Sequence, residues 1–132
     1  GRLAIQLGVN YAKERKLFRG KPIAAYQGLQ FPLAQPHAEL ECARLMNWRA
    51  AACCDQDLPY GSDANVAKLI AAQAASQAIE RSMQAMGGMG YSKEFHVERL
   101  WRDARLFRFA PVAEEMVLNF IAVHDLGMPR SY

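Results

Sequence analysis

Apolar residues recur at three- and four-residue steps along most of the chain, a spacing that predicts amphipathic helices. Four long helices are predicted: one through about Phe18, then Gly28 to Cys54, Asp63 to Met86, and Val112 to His124. A shorter helical piece is predicted around Val97 to Arg105. No stretch alternates apolar and polar residues as a half-buried strand does. Long helices with short connections predict an all-α fold, an up-down four-helix bundle forming a single domain over residues 1–132.

Each predicted helix has a face that should turn inward. That of the first helix carries Leu3, Leu7, Tyr11 and Phe18. That of the third helix carries Val66, Leu69, Ala72, Ser76, Ile79, Met83 and Met86. The many alanines beside this second set predict that another helix approaches the third helix closely.

Proline, glycine and small polar residues mark the predicted helix boundaries. Pro36 removes a backbone donor inside the second helix and clashes one turn back, so a kink is expected there. The side chain of Ser62 or Asp63 can accept a backbone N–H at the start of the third helix. Gly87 and Gly88 follow that helix, where left-handed caps are expected.

The composition is that of an ordinary globular domain, with 52% hydrophobic and 22% charged residues. The formal charge of +3 comes from basic residues scattered among acidic ones, so no nucleic acid partner is expected. No apolar run approaches the roughly 18 residues of a membrane span, so none is predicted.

The cysteines and histidines are spaced in ways that do not indicate a ligand set. Cys42, Cys53 and Cys54 are an odd number, and two of them are adjacent, which favours reduced thiols in a cytoplasmic protein. The three histidines lie far apart, so no metal site is expected. The chain is already in helical register at residue 1, which suggests a fragment whose natural beginning lies upstream.

Two segments carry candidate ligand chemistry. In YAKERKLFRGKPIAAYQ (Tyr11 to Gln27), Arg15 lies near a helix end beside an aromatic residue, where a guanidinium suits a pyrophosphate. A solvated helix face explains the same charges. The glycine-rich QAMGGMGYS (Gln84 to Ser92) follows a helix and not a strand, so it is neither a dinucleotide fingerprint nor a P-loop. It is either a helix cap or an exposed backbone that a flat or phosphorylated ligand can approach.

The first of these segments, together with QAMGGMGYSKEFHVERLWRDAR and the spacing between the two, resembles the acyl-CoA dehydrogenase family, specifically its C-terminal helical domain. The resemblance implies an FAD enzyme whose N-terminal helical and middle β-domains lie outside this chain. Such enzymes oxidise an acyl-CoA thioester between Cα and Cβ: a carboxylate removes the α-proton, and hydride passes to the flavin. It also implies dimers or tetramers that share FAD across a subunit interface, and electron transfer to an electron-transferring flavoprotein. The isolated fragment is expected to be inactive.

Residue roles follow from the resemblance by position. Arg15 matches the arginine that reaches the FAD diphosphate of a neighbouring subunit. Phe18 matches the aromatic residue that helps to line that site, and Gln27 matches the glutamine at the end of the same motif. Cofactor contacts at the adenosine end of FAD are implied for Gln84, Gly87 and Gly88. A structural ion-pair network is implied for Arg102, Asp103 and Arg105, and packing roles for Tyr91 and Trp101.

The sequence departs from the family pattern at two places. Arg19 is inserted where the family writes FGKPI, which predicts a shifted loop near the cofactor. Pro111 occupies the position of the catalytic glutamate, and a proline cannot accept a proton. Glu114 and Glu115 are the acids that follow it, although a helix N-terminus already explains acidic residues there. A minority of the family places the base on a helix that would lie upstream of Gly1.

Two other functions fit the same residues. Pro111 is consistent with a family relative of altered or lost dehydrogenase chemistry, similar to a nitroalkane oxidase or a monooxygenase. The alanine-rich faces are consistent with a non-catalytic bundle that acts only in assembly.

Overall fold

The computed structural model describes residues 1–131 and is mostly helical there. Its helices are α1 (Arg2–Glu14), α2 (Gln27–Asp55), α3 (Gly61–Met86), α4 (Gly88–Tyr91), α5 (Val97–Leu106) and α6 (Glu114–His124). Two short antiparallel strands, β1 (Lys16–Leu17) and β2 (Lys21–Pro22), form a hairpin between α1 and α2. Single 3₁₀ turns lie at Ile23–Ala25 and Lys93–Phe95. The all-α prediction is confirmed.

Helices α1 and α3 run parallel and in close contact. A Cβ atom on Gly8 would lie 3.0 Å from Ser82 Cβ, and one on Gly1 would lie 3.0 Å from the Ala75 backbone. Ser82 is fully buried at this contact, and its hydroxyl donates to the Ala78 carbonyl at 2.7 Å. Glycine and serine therefore set the distance between the two helices.

Helices α2 and α6 run antiparallel to α3. Arg49, near the end of α2, pairs with Asp63, near the start of α3, at 3.0 Å. The Ser62 hydroxyl donates to Asp125, which places the end of α6 beside the start of α3. The directions of α1, α2, α3 and α6 thus alternate, and the up-down four-helix prediction is confirmed.

The core is made of two apolar clusters that share α3. One joins α1, α3 and α5 through Ala4, Ile79, Met86, Val97 and Ala104. The other joins α1, α2 and α3 through Ile5, Leu33, Leu40, Ala74 and Ala78. The small residues of α3 let neighbours approach on several sides, as its alanine content predicts.

The first helix ends earlier than predicted. It stops at Glu14, and Phe18 lies in the hairpin with 83% of its surface exposed. Leu3, predicted to face inward, is 52% exposed, because the buried face of α1 is formed by other residues. Those residues are Ala4, Ile5, Gly8 and Ala12. The hairpin was missed because strands of two residues cannot show an alternating pattern.

The helix boundaries around α3 also differ from prediction in their details. Neither Ser62 nor Asp63 caps α3, since the N-cap is Tyr60 and no side chain bonds there. The Ser62 hydroxyl instead donates to Asp125, just beyond the end of α6. The Asp63 carboxylate accepts from Arg49 of α2. Gly87 has φ +59° and ψ −136°, which is not the left-handed cap conformation but a region open essentially to glycine alone. Gly88 opens α4, and α2 continues as a single helix of 29 residues through Pro32 and Pro36.

Candidate functional site at the hairpin end of the bundle

The fold brings the predicted cofactor-binding residues to one end of the bundle. Parallel packing places the C-terminal ends of α1 and α3 at the same end, and antiparallel packing places the start of α2 there as well. Tyr11 and Phe95 make an edge-to-face ring contact at 5.8 Å, and Leu29 packs on the same cluster as Ala85. We call this region the hairpin end; it carries Arg15, Phe18, Gln27, Gln84, Gly87 and Gly88.

Arg15 has a fixed backbone and an available side chain. Its N–H donates to the Tyr11 carbonyl at 2.9 Å, and its carbonyl accepts from the Ile23 N–H at 2.8 Å. The side chain is exposed and forms no ion pair within residues 1–131. A guanidinium held in this way can bind an anionic group of a ligand.

The inserted Arg19 lies in the turn of the hairpin. Arg19 has φ +62° and Gly20 has φ +74°, so both lie in the left-handed region, which glycine adopts freely and other residues rarely do. Lys16 pairs with Pro22 and Leu17 with Lys21 across the strands. The extra residue is therefore taken up at the tip, next to Phe18, while the base of the hairpin stays bonded between Arg15 and Ile23.

The glycines after α3 have different reasons to be glycine. Gly87 needs its positive φ, whereas a Cβ on Gly88 would meet no atom within 4 Å. Both are exposed, so their backbone is open to a ligand. Gly90 is buried, and a Cβ there would approach the Met83 carbonyl oxygen to 2.5 Å. Sequence reasoning missed Gly90, although its signal was the third glycine of the segment.

Gln27 and Gln84 are both exposed at this end. Gln27 is the first residue of α2, and Gln84 lies in the last turn of α3, where its carbonyl accepts from the Gly87 N–H at 3.2 Å. Gln27 lies four residues after Ile23, whose N–H donates to the Arg15 carbonyl. Its assignment as a cofactor contact stays a prediction.

The position of the expected catalytic base is occupied by an exposed Pro111 between α5 and α6. Glu114 begins α6, is 6% exposed and is held by Arg108 in a bidentate pair, with Nε–Oε1 and Nη2–Oε2 distances of 2.7 and 2.6 Å. The hydrogen bonds from Arg108 hold the pKa of the Glu114 carboxyl below its ordinary value of 4.5, against the opposing effect of burial. Glu115 is exposed in the first turn of α6.

The RDAR segment forms ion pairs only in part. Arg102 bonds to Glu98 at 3.0 Å, and Asp103 pairs with Arg99 at 3.7 Å, both one turn away on α5. Arg105 forms no ion pair within the described chain, because no carboxylate lies one turn before or after it. That part of the expected network is therefore absent from residues 1–131.

The packing roles expected of two aromatic residues are not observed. Tyr91 is 82% exposed. Trp101 is 44% exposed, and its indole N–H donates to Glu80 at 2.9 Å. Within residues 1–131, no three His, Cys, Asp or Glu residues are placed to hold a metal ion. In the same range, no helix combines the length and the apolar character that crossing a bilayer requires.

Comparison with known proteins decides the family. The family model for the C-terminal domain of acyl-CoA dehydrogenases matches residues 1–124. The chain belongs to the acyl-CoA dehydrogenase family. The resemblance seen in the sequence is thereby confirmed.

Individual similar proteins agree with this assignment. The acyl-CoA dehydrogenase FadE12 of Mycobacterium tuberculosis (strain ATCC 25618 / H37Rv) is 48% identical, over 100% of this chain and 34% of that protein. A glutaryl-coenzyme A dehydrogenase, solved as its glutaryl-CoA complex, superposes with a TM-score of 0.89 at 34% identity, covering 97% of this chain and 32% of that one. PigA, solved as its FAD complex, has a TM-score of 0.88 at 27% identity, covering 94% of this chain and 32% of that one. The chain thus spans about a third of the length of the relatives it matches.

Proposed function

We propose that this chain is the C-terminal domain of an FAD-dependent acyl-CoA dehydrogenase that desaturates an acyl-CoA thioester between Cα and Cβ. The observation that carries the proposal is the hairpin end, where the fold of this family member gathers the residues matched to cofactor contacts. PigA binds FAD and the glutaryl-coenzyme A dehydrogenase binds glutaryl-CoA, which supports FAD and an acyl-CoA as the ligands proposed here. The rest of the full-length protein would be an N-terminal helical domain and a middle β-domain.

The hairpin end suits a diphosphate. Arg15 offers an exposed guanidinium with no carboxylate partner within residues 1–131, so it can bond to phosphate oxygens. Phe18 offers an exposed ring three residues further along the hairpin, and Gly87 and Gly88 leave their backbone open to close approach. FAD, when bound, supplies the acceptor for the hydride that leaves the β-carbon. Residues of this chain would hold the cofactor of a neighbouring subunit in place.

The base that takes the α-proton is proposed to lie outside this chain, on the helix that precedes it in the full-length protein. Pro111 cannot accept a proton, and the carboxylate of Glu114 accepts hydrogen bonds from two nitrogens of Arg108, Nε and Nη2. Such a pair stabilises the ionised form and restrains its geometry, which suits a structural role. Glu115 is the second candidate, because it is exposed.

Self-association, as a dimer or a tetramer, is proposed through exposed apolar surface of α2. Phe31, Leu45 and Trp48 are 62%, 59% and 56% exposed, opposite the face that packs on α3. Exposed alanines lie on the same side of the helix, at Ala34, Ala38 and Ala52. Apolar area of this extent on one helix is typical of a surface that another protein element covers.

A groove of about 660 Å³ between α2 and α3 is a second surface that we propose is covered in the whole protein. It is lined mainly by alanines, together with Arg44 and Lys68. Arg44 Nε and Lys68 Nζ are buried without a hydrogen-bond partner among residues 1–131. Buried donors are normally satisfied, so acceptors from another part of the protein or another subunit are expected there.

An electron-transferring flavoprotein is the proposed electron acceptor, and the cytoplasm the proposed location. A chain from a structure of the electron transferring flavoprotein of Acidaminococcus fermentans has the same fold, with a TM-score of 0.84 at 30% identity, over 87% of this chain and 30% of that one.

One second function is favoured by an observation: Pro111, at the position of the base, fits a relative with altered chemistry, such as a nitroalkane oxidase-like or monooxygenase-like enzyme.

The experiment that tests the function is an anaerobic titration of the FAD-loaded full-length protein with acyl-CoA thioesters of increasing chain length. Desaturation reduces the flavin, so its visible absorbance band should bleach with at least one of them. Replacing a carboxylate on the preceding helix should abolish bleaching, while Glu115→Gln should not. A flavin that no acyl-CoA bleaches would contradict dehydrogenation and favour the altered chemistry, and a protein that binds no FAD would leave an assembly role.

A further inference from the structure

A second basic region lies in a groove of about 670 Å³ between α3 and α5. Three arginines line it: Arg81 from α3, Arg105 from α5, and Arg108 just beyond α5. It is separate from the hairpin end, since none of the residues matched to cofactor contacts lines it. Arginines that converge from two helices concentrate positive charge in one place.

Two of these three arginines have no counter-charge. In the described chain, ion pairs are formed by Arg2, Arg44, Arg49, Arg99, Arg102 and, within the groove, Arg108. Arg81 and Arg105 form none within residues 1–131. Glu80 is the one acidic residue among the described lining of the groove, and its carboxylate accepts the indole N–H of Trp101 at 2.9 Å. The groove therefore keeps two uncompensated guanidinium groups.

The other walls of the groove are held in position. Arg108 donates through two nitrogens to Glu114, which neutralises its charge and fixes its plane. The Trp101 ring is anchored through Nε1 and is 44% exposed, so part of its surface remains open to a flat group. An anchored indole beside two free guanidinium groups suits a ligand with a flat part and an anionic part.

We propose that this groove binds a phosphate group carried by a small molecule, with Arg81 and Arg105 as its ligands and Trp101 against the flat part of the molecule. A phosphate monoester carries nearly two negative charges, which matches two guanidinium groups, and its oxygens suit the planar arginine fork. This site goes beyond the proposed dehydrogenase function and does not depend on it. Free phosphate and a nucleotide share the recognised group, and the test distinguishes them.

The test is isothermal titration calorimetry of the FAD-loaded full-length protein with AMP and, separately, with inorganic phosphate. Saturable binding of AMP is expected, and the double variant Arg81→Gln/Arg105→Gln should weaken it at least about tenfold, the effect of losing a charge-assisted bond. Trp101→Leu should weaken the binding of AMP and leave the binding of phosphate unchanged, because only AMP has a flat base to lie against the indole. Equal binding of AMP and phosphate would contradict the contact between Trp101 and the flat part of the molecule.

The matched control is Arg99→Gln, which lies on the same helix, is paired with Asp103 and does not line the groove. It should leave AMP binding within about twofold of the unmodified protein, since exposed ion pairs contribute little. The proposal is overturned if neither probe binds saturably, or if the double variant binds as well as the unmodified protein. Equal weakening by Arg99→Gln, or release of FAD from the protein as AMP binds, would also overturn it.

Discussion

The hairpin end and the connection between α5 and α6 both carry an arginine at a predicted site, but the two guanidinium groups differ in what they contact. Arg15 is exposed and has no carboxylate partner within residues 1–131. Arg108 forms a bidentate pair with Glu114, which is 6% exposed. A satisfied pair of this kind contributes to the fold, while an unpaired guanidinium on a fixed backbone is available to a ligand. Within one domain, the presence or absence of a carboxylate partner therefore distinguishes an arginine that stabilises the fold from one that can bind a ligand.

The largest effect on stability is expected from breaking the pair between Arg108 and Glu114. Glu114→Gln replaces a carboxylate that accepts two hydrogen bonds from Arg108 by a neutral amide, and should lower the free energy of unfolding by about 1–3 kcal/mol. The matched control Glu115→Gln changes an exposed neighbour and should stay within about 0.5 kcal/mol. Urea denaturation of the full-length protein, followed by far-UV circular dichroism, measures both. Equal effects of the two variants would remove the structural role assigned to Glu114.

The same variants give a pH signature. The pKa of Glu114 is lowered in the folded protein, so its contribution is complete above the ordinary value of 4.5 and is lost as pH falls through the folded pKa. The stability difference between the unmodified protein and Glu114→Gln should therefore be constant near neutral pH and shrink below pH 4.5. A difference that grows on acidification would contradict the sign of this shift.

A smaller effect is expected within the hairpin end itself. Gly87→Ala forces a side chain into φ +59° and ψ −136°, at a cost of about 1–2 kcal/mol. Gly88→Ala meets open space and should change stability by no more than about 0.5 kcal/mol in either direction. Thermal denaturation of the two variants, each with and without FAD, measures the contrast. Equal melting temperatures for the two would mean that α3 does not need its positive φ at Gly87.

The long helices could be predicted from the sequence because their apolar repeat is sustained over many turns. The ends of α2 lie one residue from prediction, and α3 begins two residues early. The end of α1 was wrong by four residues, because Phe18 falls on the helical repeat although its ring faces solvent. Periodicity records spacing and not burial, so it cannot tell an exposed binding aromatic from a core residue.

The candidate site was predictable only through the family motifs. Arg15 and the glycines after α3 have no periodic signal, and their convergence depends on the parallel packing of α1 and α3. The pair between Arg108 and Glu114 was missed because its partners lie six residues apart across a non-helical connection, outside the helical spacings that sequence reasoning uses. Gly90 was missed because its contact with the Met83 carbonyl exists only once α4 has folded back on α3.

The most direct measurement of the central claim is the dissociation constant of FAD from the full-length protein and from its Arg15→Gln variant. Loss of a charge-assisted bond to the diphosphate should raise this constant about 10- to 100-fold. Arg102→Gln, which removes an exposed arginine paired with Glu98, is the matched control and should leave it within about twofold. Both variants should keep the melting temperature of the FAD-free protein. An FAD dissociation constant that Arg15→Gln leaves unchanged, or that both variants raise equally, would contradict the assignment of the hairpin end as a cofactor site.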